Sequence, residues 1–371
     1  MAQVKKKILV VDSSAGIGGG QRIAFDICSS LRGRFEFIVT SPKGVYNEKY
    51  SEIKVKTRIL SGSFPIKQVS RIMIEEKPDI IHAHGTRAAL WARAAVLLTR
   101  KKIALVYTLH GLHISKRAFP RREMLLLLER IMNRWTSVLV CVSDGDREEV
   151  LRHKLIDPAK IVVIKNGIDV DAFRAGARNA GIIIEELNIE GFTVLCSVGR
   201  LHPQKDFSTL LKALKIINEK EGRFVLLIAG DGPLRGSLES EAESLCVSSK
   251  VRFLGFREDV AGLMAASDII VLSSNWEAFG LVCVEAGAVK KPVIASDIEG
   301  VREAVQSGIT GYLFRKNDSI DLAEKIFLLA SPEKRASLGL AGYEFVSKNY
   351  DIRRMAEEYR RLFDAQRPAP Y

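Results

Sequence analysis

Short β-branched runs alternate with longer amphipathic stretches along the whole chain, and that alternation leaves few folds open. The runs "KILVVD", "FEFIVT", "IIHAH", "IALVYTLH", "SVLVCV" and "KIVVIKN" read as strands in the first half. "FTVLCSVGR", "RFVLLIAGDG", "VRFLGF", "DIIVLSS" and "KPVIASD" read as strands in the second. Between them lie segments of helical period, such as "DFSTLLKALKIINEK", with Leu210, Leu211, Leu214, Ile216 and Ile217 on one broad apolar face. Strand–helix alternation of this kind builds α/β domains whose parallel sheets are covered on both faces. With 371 residues the chain exceeds one ordinary domain, so two are expected. Residues 172–190, "AFRAGARNAGIIIEELNIE", show no strand signal and are read as the linker. The expected domains are therefore 1–174 and 175–351, with a last helix over 352–371 packing back on the first.

Composition narrows the class. A hydrophobic content of 47% supports sizeable cores, and a net charge of +12 favours an anionic partner: phosphate, nucleotide, nucleic acid or an acidic membrane. Aromatics are only 7% and no aromatic-basic stacking motif appears, which argues against nucleic acid. Five scattered cysteines, an odd number, read as reduced thiols of a cytoplasmic protein, with Cys28, Cys141, Cys196 and Cys283 inside apolar runs. "MAQVKKKILVVD" starts basic, but its apolar run stops at Asp12, so it reads as a first strand and not as a signal peptide. No run of about 18 apolar residues is present.

Parallel sheets bind ligands beyond the carboxyl ends of their strands, so the chemistry is sought there. After the first strand comes "SSAGIGGGQR", where Gly16, Gly18, Gly19 and Gly20 precede a helix; such a turn lets backbone N–H groups approach a phosphate. Gln21 stands where a dinucleotide fingerprint has its third glycine, and a flexible turn without ligand is the competing reading. "SVGRLHPQKD" places Arg200 and Lys205 on one loop, suited to clamping a diphosphate, or simply a solvated basic loop. His82 and His84 end one strand, and His110 and His113 follow another; two rings on one strand face make zinc conceivable, but capping a site mouth is the better reading. Asp144 with Asp146, and Asp169 with Asp171, could hold Mg²⁺, yet both pairs read better as helix-cap and turn chemistry, so no metal is expected. In "NWEAFGLVCVEAG", Glu277 and Glu285 interrupt an apolar segment, either as solvent-facing accidents or as acceptors for hydroxyl groups.

From "SVGRLHPQKD" through "AGDGPLR", "VRFLGFREDV", the long segment "AASDIIVLSSNWEAFGLVCVEAGAVKKPVIASDIEGVREAV" and "SGITGYLF", the second half resembles the retaining glycosyltransferases of family 4. The first half agrees through "GIGGGQR", "PDIIHAHG", "YTLHG" and "IKNGIDVDAF". The resemblance implies the GT-B architecture, two Rossmann-like domains facing across a cleft. It implies a nucleoside-diphosphate sugar as co-substrate and no further cofactor. It assigns Glu277 to hydroxyls of the donor sugar and Glu285 to the ribose, which suits carboxylates as pure acceptors. Arg200 and Lys205 then clamp the diphosphate where leaving-group charge develops, without a metal. Gly18 and Gly19 close over the diphosphate, His110 contacts the transferring sugar, and Ala278, Phe279, Gly280 and Leu281 offer backbone N–H groups. Phe256 and Val260 line the base pocket. The implied acceptor is a glycan or a lipid-linked sugar of a bacterial envelope or polysaccharide pathway, met at the cytoplasmic face of the membrane.

The chain departs from the family pattern at Gln21, often Glu, at Asp206, often Gly, and at Ala278, where Gly is frequent. Other GT-B enzymes (an epimerase or a phosphorylase) and a non-catalytic nucleotide-sugar-binding protein are the alternatives. One segment bears on the acceptor. "SKRAFPRREMLLLLERIMNRW" sets Lys116, Arg117, Arg121 and Arg122 before Met124, Leu125, Leu127, Leu128, Ile131, Met132 and Trp135. Most of these apolar residues are expected in the core, with the basic stretch exposed toward an anionic membrane.

Overall fold

The computed structural model describes residues 5–112 and 119–366, which form two compact units. The first comprises residues up to Gly167 together with those from Ile352 on; the second is Ile168–Asp351. The changeover thus falls between Gly167 and Ile168, ahead of the expected boundary. Residues 172–190, expected as a linker, are mostly helical within the second unit: helices Val170–Ala175 and Ala180–Leu187 flank a 3₁₀ turn at Gly176–Asn179.

In the first unit the strands are β1 (Lys7–Asp12), β2 (Glu36–Pro42), β3 (Lys56–Leu60), β4 (Ile80–His84), β5 (Ala104–Leu109), β6 (Val138–Cys141) and β7 (Ile161–Val163). They pair in parallel in the order β3-β2-β1-β4-β5-β6-β7. Because side chains alternate along a strand, Leu9, Val11, Ile81 and Ala83 enter one core with helices Pro65–Glu76 and Gly85–Thr99. Of the opposite set, His82 meets the helix Ile352–Ala365, its ring 5.5 Å from Tyr359 and 5.3 Å from Phe363. Phe363 also packs edge-on against Phe35 and lies near Phe37. Lys6 donates to the carbonyls of Phe363, Asp364 and Gln366, capping that helix at its C-terminus.

The second unit repeats the plan. Its strands are β8 (Thr193–Val198), β9 (Phe224–Ala229), β10 (Val251–Gly255), β11 (Ile269–Leu272), β12 (Val293–Ser296) and β13 (Gly311–Phe314). The order is β10-β9-β8-β11-β12-β13, all parallel. The reading missed β3 and β13. Both are edge strands: β3 has one buried residue, Leu60, and β13 opens on a glycine. In each sheet the strand order reverses once, between β1 and β4 and between β8 and β11, which opens a crevice at the carboxyl ends of those strands.

Candidate functional site

In the second unit the loops after β8 and β11 are stitched together across that crevice. Ser273 Oγ donates to the Lys205 carbonyl (2.8 Å), and the Asn275 amide donates to the Gln204 carbonyl (2.7 Å). Gln204 Nε2 donates to the Trp276 carbonyl, 3.0 Å away. This backbone frame brings Lys205 Nζ to 2.5 Å from Glu277 Oε1, and Ser274 Oγ donates to the same oxygen at 2.6 Å. The two charged side chains are largely shielded, 16% and 11% exposed. Arg200, on the same loop as Lys205, is exposed and makes no ion pair among the described residues.

Glycines make this frame possible. A Cβ on Gly230 would fall 2.0 Å from the Gly199 carbonyl oxygen, and one on Gly300 would fall 2.2 Å from that of Glu277. Gly300 was not singled out from the sequence, although an isolated glycine at a helix start was the available signal. Gly280, at φ +76°, opens the helix Leu281–Ala288, whose first N–H groups face the carboxyl end of the sheet. Ala278 needs no such conformation, since the left-handed position of this loop is Gly280. Asp206 is left-handed at φ +45°, which accounts for glycine being frequent there in the family; its carboxylate takes bonds from the Thr209 and Asn317 side chains. Glu285 is buried on the helix Leu281–Ala288. Phe279 is buried against Tyr350, so only its backbone can meet a ligand. Phe256 is exposed and Val260 half-buried, on a segment pinned by Arg257 to Asp259 and Glu186.

The first unit carries a different set at the equivalent place. Gly18 precedes and Gly19 begins the helix Gly19–Leu31, and a Cβ on Gly20 would lie 3.2 Å from the His110 ring. Asp12, at the end of β1, is buried and accepts bonds from the Ser14 amide (3.0 Å) and from Gln21 Nε2 (3.2 Å). Burial raises its carboxyl to about 6, against the pull of those two bonds. Sequence reasoning passed over Asp12 and treated Gln21 only as a departure; the structure makes them partners.

His110 does not stand alone. Its Nε2 lies 3.1 Å from His84 Nδ1, and His84 Nε2 lies 3.3 Å from His82 Nδ1. His82 Nε2 is 2.8 Å from Thr108 Oγ1, which is 3.0 Å from the Tyr359 hydroxyl. Burial lowers His82 to about 3 and holds His84 well below the ordinary histidine value; neighbouring imidazoles add to both shifts. Facing ring nitrogens thus serve one another, and no cluster of three potential metal ligands occurs among the described residues. Of the Asp-x-Asp pairs, Asp169 caps the helix Val170–Ala175 and Ser143 caps Asp144–Arg152, while Asp144 pairs with Lys165. His113, Lys116 and Arg117 lie outside the described residues.

The helix Arg121–Met132 corrects the sequence reading. Met124, Leu127, Leu128 and Ile131 are exposed, not in the core. Leu126 and Glu129 face inward instead, because fully buried Arg93 needs acceptors: it donates to Glu129 (3.0 Å), Asn133 (2.6 Å) and Thr136 (3.0 Å). That polar anchor fixes the helix rotation and turns its apolar stripe outward. Among the described residues no helix is long and apolar enough to cross a membrane.

Two family models match, Glycosyltransferase Family 4 over residues 17–172 and Glycosyl transferases group 1 over residues 181–345, so nearly the whole chain is accounted for. The chain belongs to the retaining glycosyltransferases of family 4. This glycosyltransferase is 32% identical over 257 residues to the UDP-Gal:alpha-D-GlcNAc-diphosphoundecaprenol alpha-1,3-galactosyltransferase of Escherichia coli, spanning 67% of this chain and 65% of the relative. It is 29% identical to the N-acetyl-alpha-D-glucosaminyl L-malate synthase of Bacillus anthracis, over 80% of this chain and 77% of that one. In fold it is similar to Anabaena HepE, solved with UDP and glucose, at a TM-score of 0.88 and 24% identity over 97% of this chain and 100% of that one. The glycosyltransferase therefore has the GT-B fold, with a Rossmann-like sheet in each unit.

Proposed function

We propose that the enzyme moves a sugar from a UDP-sugar to a lipid-diphosphate-linked glycan, with the second unit holding the donor and the first the acceptor. The observation that carries this reading is the Lys205–Glu277 pair at the carboxyl-end crevice of the second sheet, with exposed Arg200 on the same loop. Arg200, Lys205 and the first N–H groups of the helix Leu281–Ala288 stabilise the negative charge that grows on the diphosphate as the glycosidic bond breaks. Glu277 accepts hydrogen bonds from hydroxyls of the donor sugar and Glu285 from those of the ribose. Phe256 and Val260 flank the base, Ala278, Phe279, Gly280 and Leu281 offer backbone groups, and Gly18, Gly19 and His110 contact the donor. Asp12 is buried and taken up by Ser14 and Gln21, so it orders its loop and is not offered as a nucleophile. Transfer with retention then proceeds on the front face, the departing phosphate helping to deprotonate the acceptor hydroxyl. Release of UDP from a panel of UDP-sugars, with and without undecaprenyl-diphosphate-linked GlcNAc, tests the reading. Acceptor-stimulated release supports it; release unaffected by that lipid but stimulated by a small soluble acid such as L-malate overturns the acceptor.

The exposed stripe Met124, Leu127, Leu128 and Ile131 supports a peripheral membrane contact that suits such an acceptor. Its spacing puts all four on one helical face, with Arg121 and Arg122 at the N-terminal end. Each basic residue near an anionic surface contributes about 1 kcal/mol. Flotation with anionic vesicles at low salt is expected to capture the protein, and Leu128→Glu with Ile131→Glu to release it. A protein that stays unbound on anionic vesicles removes this contact.

A further inference from the structure

The chain of hydrogen bonds from Tyr359 to His110 has a direction, and its buried end decides it. His82, Thr108 and Tyr359 are fully buried and His84 nearly so. Each hydroxyl and each neutral imidazole has one proton to donate. The Tyr359 hydroxyl has one partner among the described residues, Thr108 Oγ1, so its proton goes there. Thr108, already accepting, must place its own proton on its other partner, His82 Nε2. His82 then carries its proton on Nδ1 and donates to His84 Nε2. His84 in turn donates from Nδ1 to His110 Nε2. Running the chain the other way satisfies the rings but leaves the Tyr359 proton buried with no acceptor among the described residues, which is the costlier arrangement.

We propose that Thr108 and Tyr359 set the tautomer of His110, with its Nε2 lone pair taken by His84, so that the proton His110 can donate is the one on Nδ1. Thr108, His82 and His84 are positioning residues in this assignment. Its catalytic half rests on the proposed contact of His110 with the transferring sugar; the tautomer itself does not. Neutral histidine in water favours the proton on Nε2, so the arrangement is one the fold has to impose. Two hydroxyls impose it redundantly: without Tyr359, the Thr108 proton still has only His82 to go to. A histidine in the wrong tautomer loses its function even where its position is unchanged.

Nitrogen-15 NMR of histidine-labelled full-length enzyme at neutral pH reads the tautomers directly, with His82→Gln, His84→Gln and His110→Gln assigning the signals. Nδ1–H with bare Nε2 is expected at all three residues, and His110 protonated on Nε2 overturns the proposal. Tyr359→Phe and Thr108→Ser are expected to keep the wild-type pattern, because each leaves a hydroxyl that can donate only to His82. Thr108→Val removes the donor to His82 while keeping the shape, and is expected to move the His110 proton to Nε2. Turnover should then fall about tenfold, the loss of one neutral hydrogen bond, with the affinity for UDP alone unchanged. A Thr108→Val enzyme with the wild-type tautomer pattern overturns the assignment to Thr108; one with an altered pattern and wild-type turnover overturns the catalytic half. Absence of glycosyl transfer in the wild type is a failure of the proposed function and leaves the NMR result to stand or fall alone.

Discussion

At the carboxyl ends of β1, β4 and β5 in the first unit, a carboxylate is buried against an amide, and three imidazoles are strung between two hydroxyls and a glycine-rich turn. Between β8 and β11 of the second, an ammonium and a carboxylate stand 2.5 Å apart, with an exposed arginine on the same loop as the ammonium. The topology at the two places is the same, so topology does not choose the chemistry. Burial and partners do. The first crevice keeps its charge to one buried carboxylate and otherwise carries direction, which a chain of single-proton groups can do. The second concentrates charge, which suits a leaving diphosphate. A chain of imidazoles and hydroxyls is sensitive to protons; an ion pair with an arginine on the same loop is a place for anions.

The largest effect expected from this contrast is on the charged side. Arg200→Ala and Lys205→Ala should each lower turnover by roughly 10²–10³, equivalent to about 2.7–4 kcal/mol of lost charge stabilisation. Steady-state kinetics with circular dichroism as a check on folding measures this, and near-normal turnover in both variants removes the diphosphate role.

Next comes acid, which should act on the first unit and spare the second. Unfolded histidine takes a proton near pH 6.5, whereas folded His82 resists until about 3. The unfolded chain therefore binds more protons below 6.5, and stability falls with pH; His84 acts in the same direction. Asp12 opposes them, since its folded carboxyl protonates near 6 and favours the fold as pH drops. Between pH 7 and 5 the balance is a net loss of about 2–3 kcal/mol. Hydrogen exchange should find it in the amides of β4 and β5 and not in those of β8 and β11. Equal acid loss in both sheets breaks the comparison.

Smaller effects separate the two glutamates. Glu285→Gln should weaken UDP binding about tenfold, whereas Glu277→Gln should leave UDP binding nearly intact and lower kcat. Isothermal titration with UDP decides: wild-type affinity in Glu285→Gln overturns the ribose assignment. The smallest change is expected from chelation. EDTA should leave turnover within about twofold, the cationic loop serving the diphosphate; complete loss restored by Mg²⁺ contradicts that.

Much of the second site was legible in the sequence because its parts sit on contiguous loops. "GRLHPQK" and "EAFGLVCVE" follow strands that their apolar runs announce, and both lie at carboxyl ends. Their pairing was not legible: Lys205 and Glu277 are 72 residues apart, and the reading gave them separate tasks. The first site was less legible still. Period-two spacing puts His82 and His84 on one face, but their partners Thr108 and Tyr359 are threonine and tyrosine in unremarkable segments, and 251 residues separate those two. For the helix Arg121–Met132, hydrophobicity alone favoured the core. What turned it outward is Arg93, whose need for buried acceptors no periodicity records.

The helix Ile352–Ala365 also bears on how the protein is made. Its Tyr359 and Phe363 are wholly buried in the unit that the ribosome begins first, yet the entire second unit is synthesised between the two parts. At about 5–20 residues per second that gap lasts on the order of ten to forty seconds. During it the face of the first sheet carrying His82 waits without its cover, whereas Ile168–Asp351 has every part of its own core as soon as its last residue is made. The unit started first is thus the last to be finished, and a nascent chain stalled before residue 352 is expected to be cleaved by protease in the first sheet and resistant in the second.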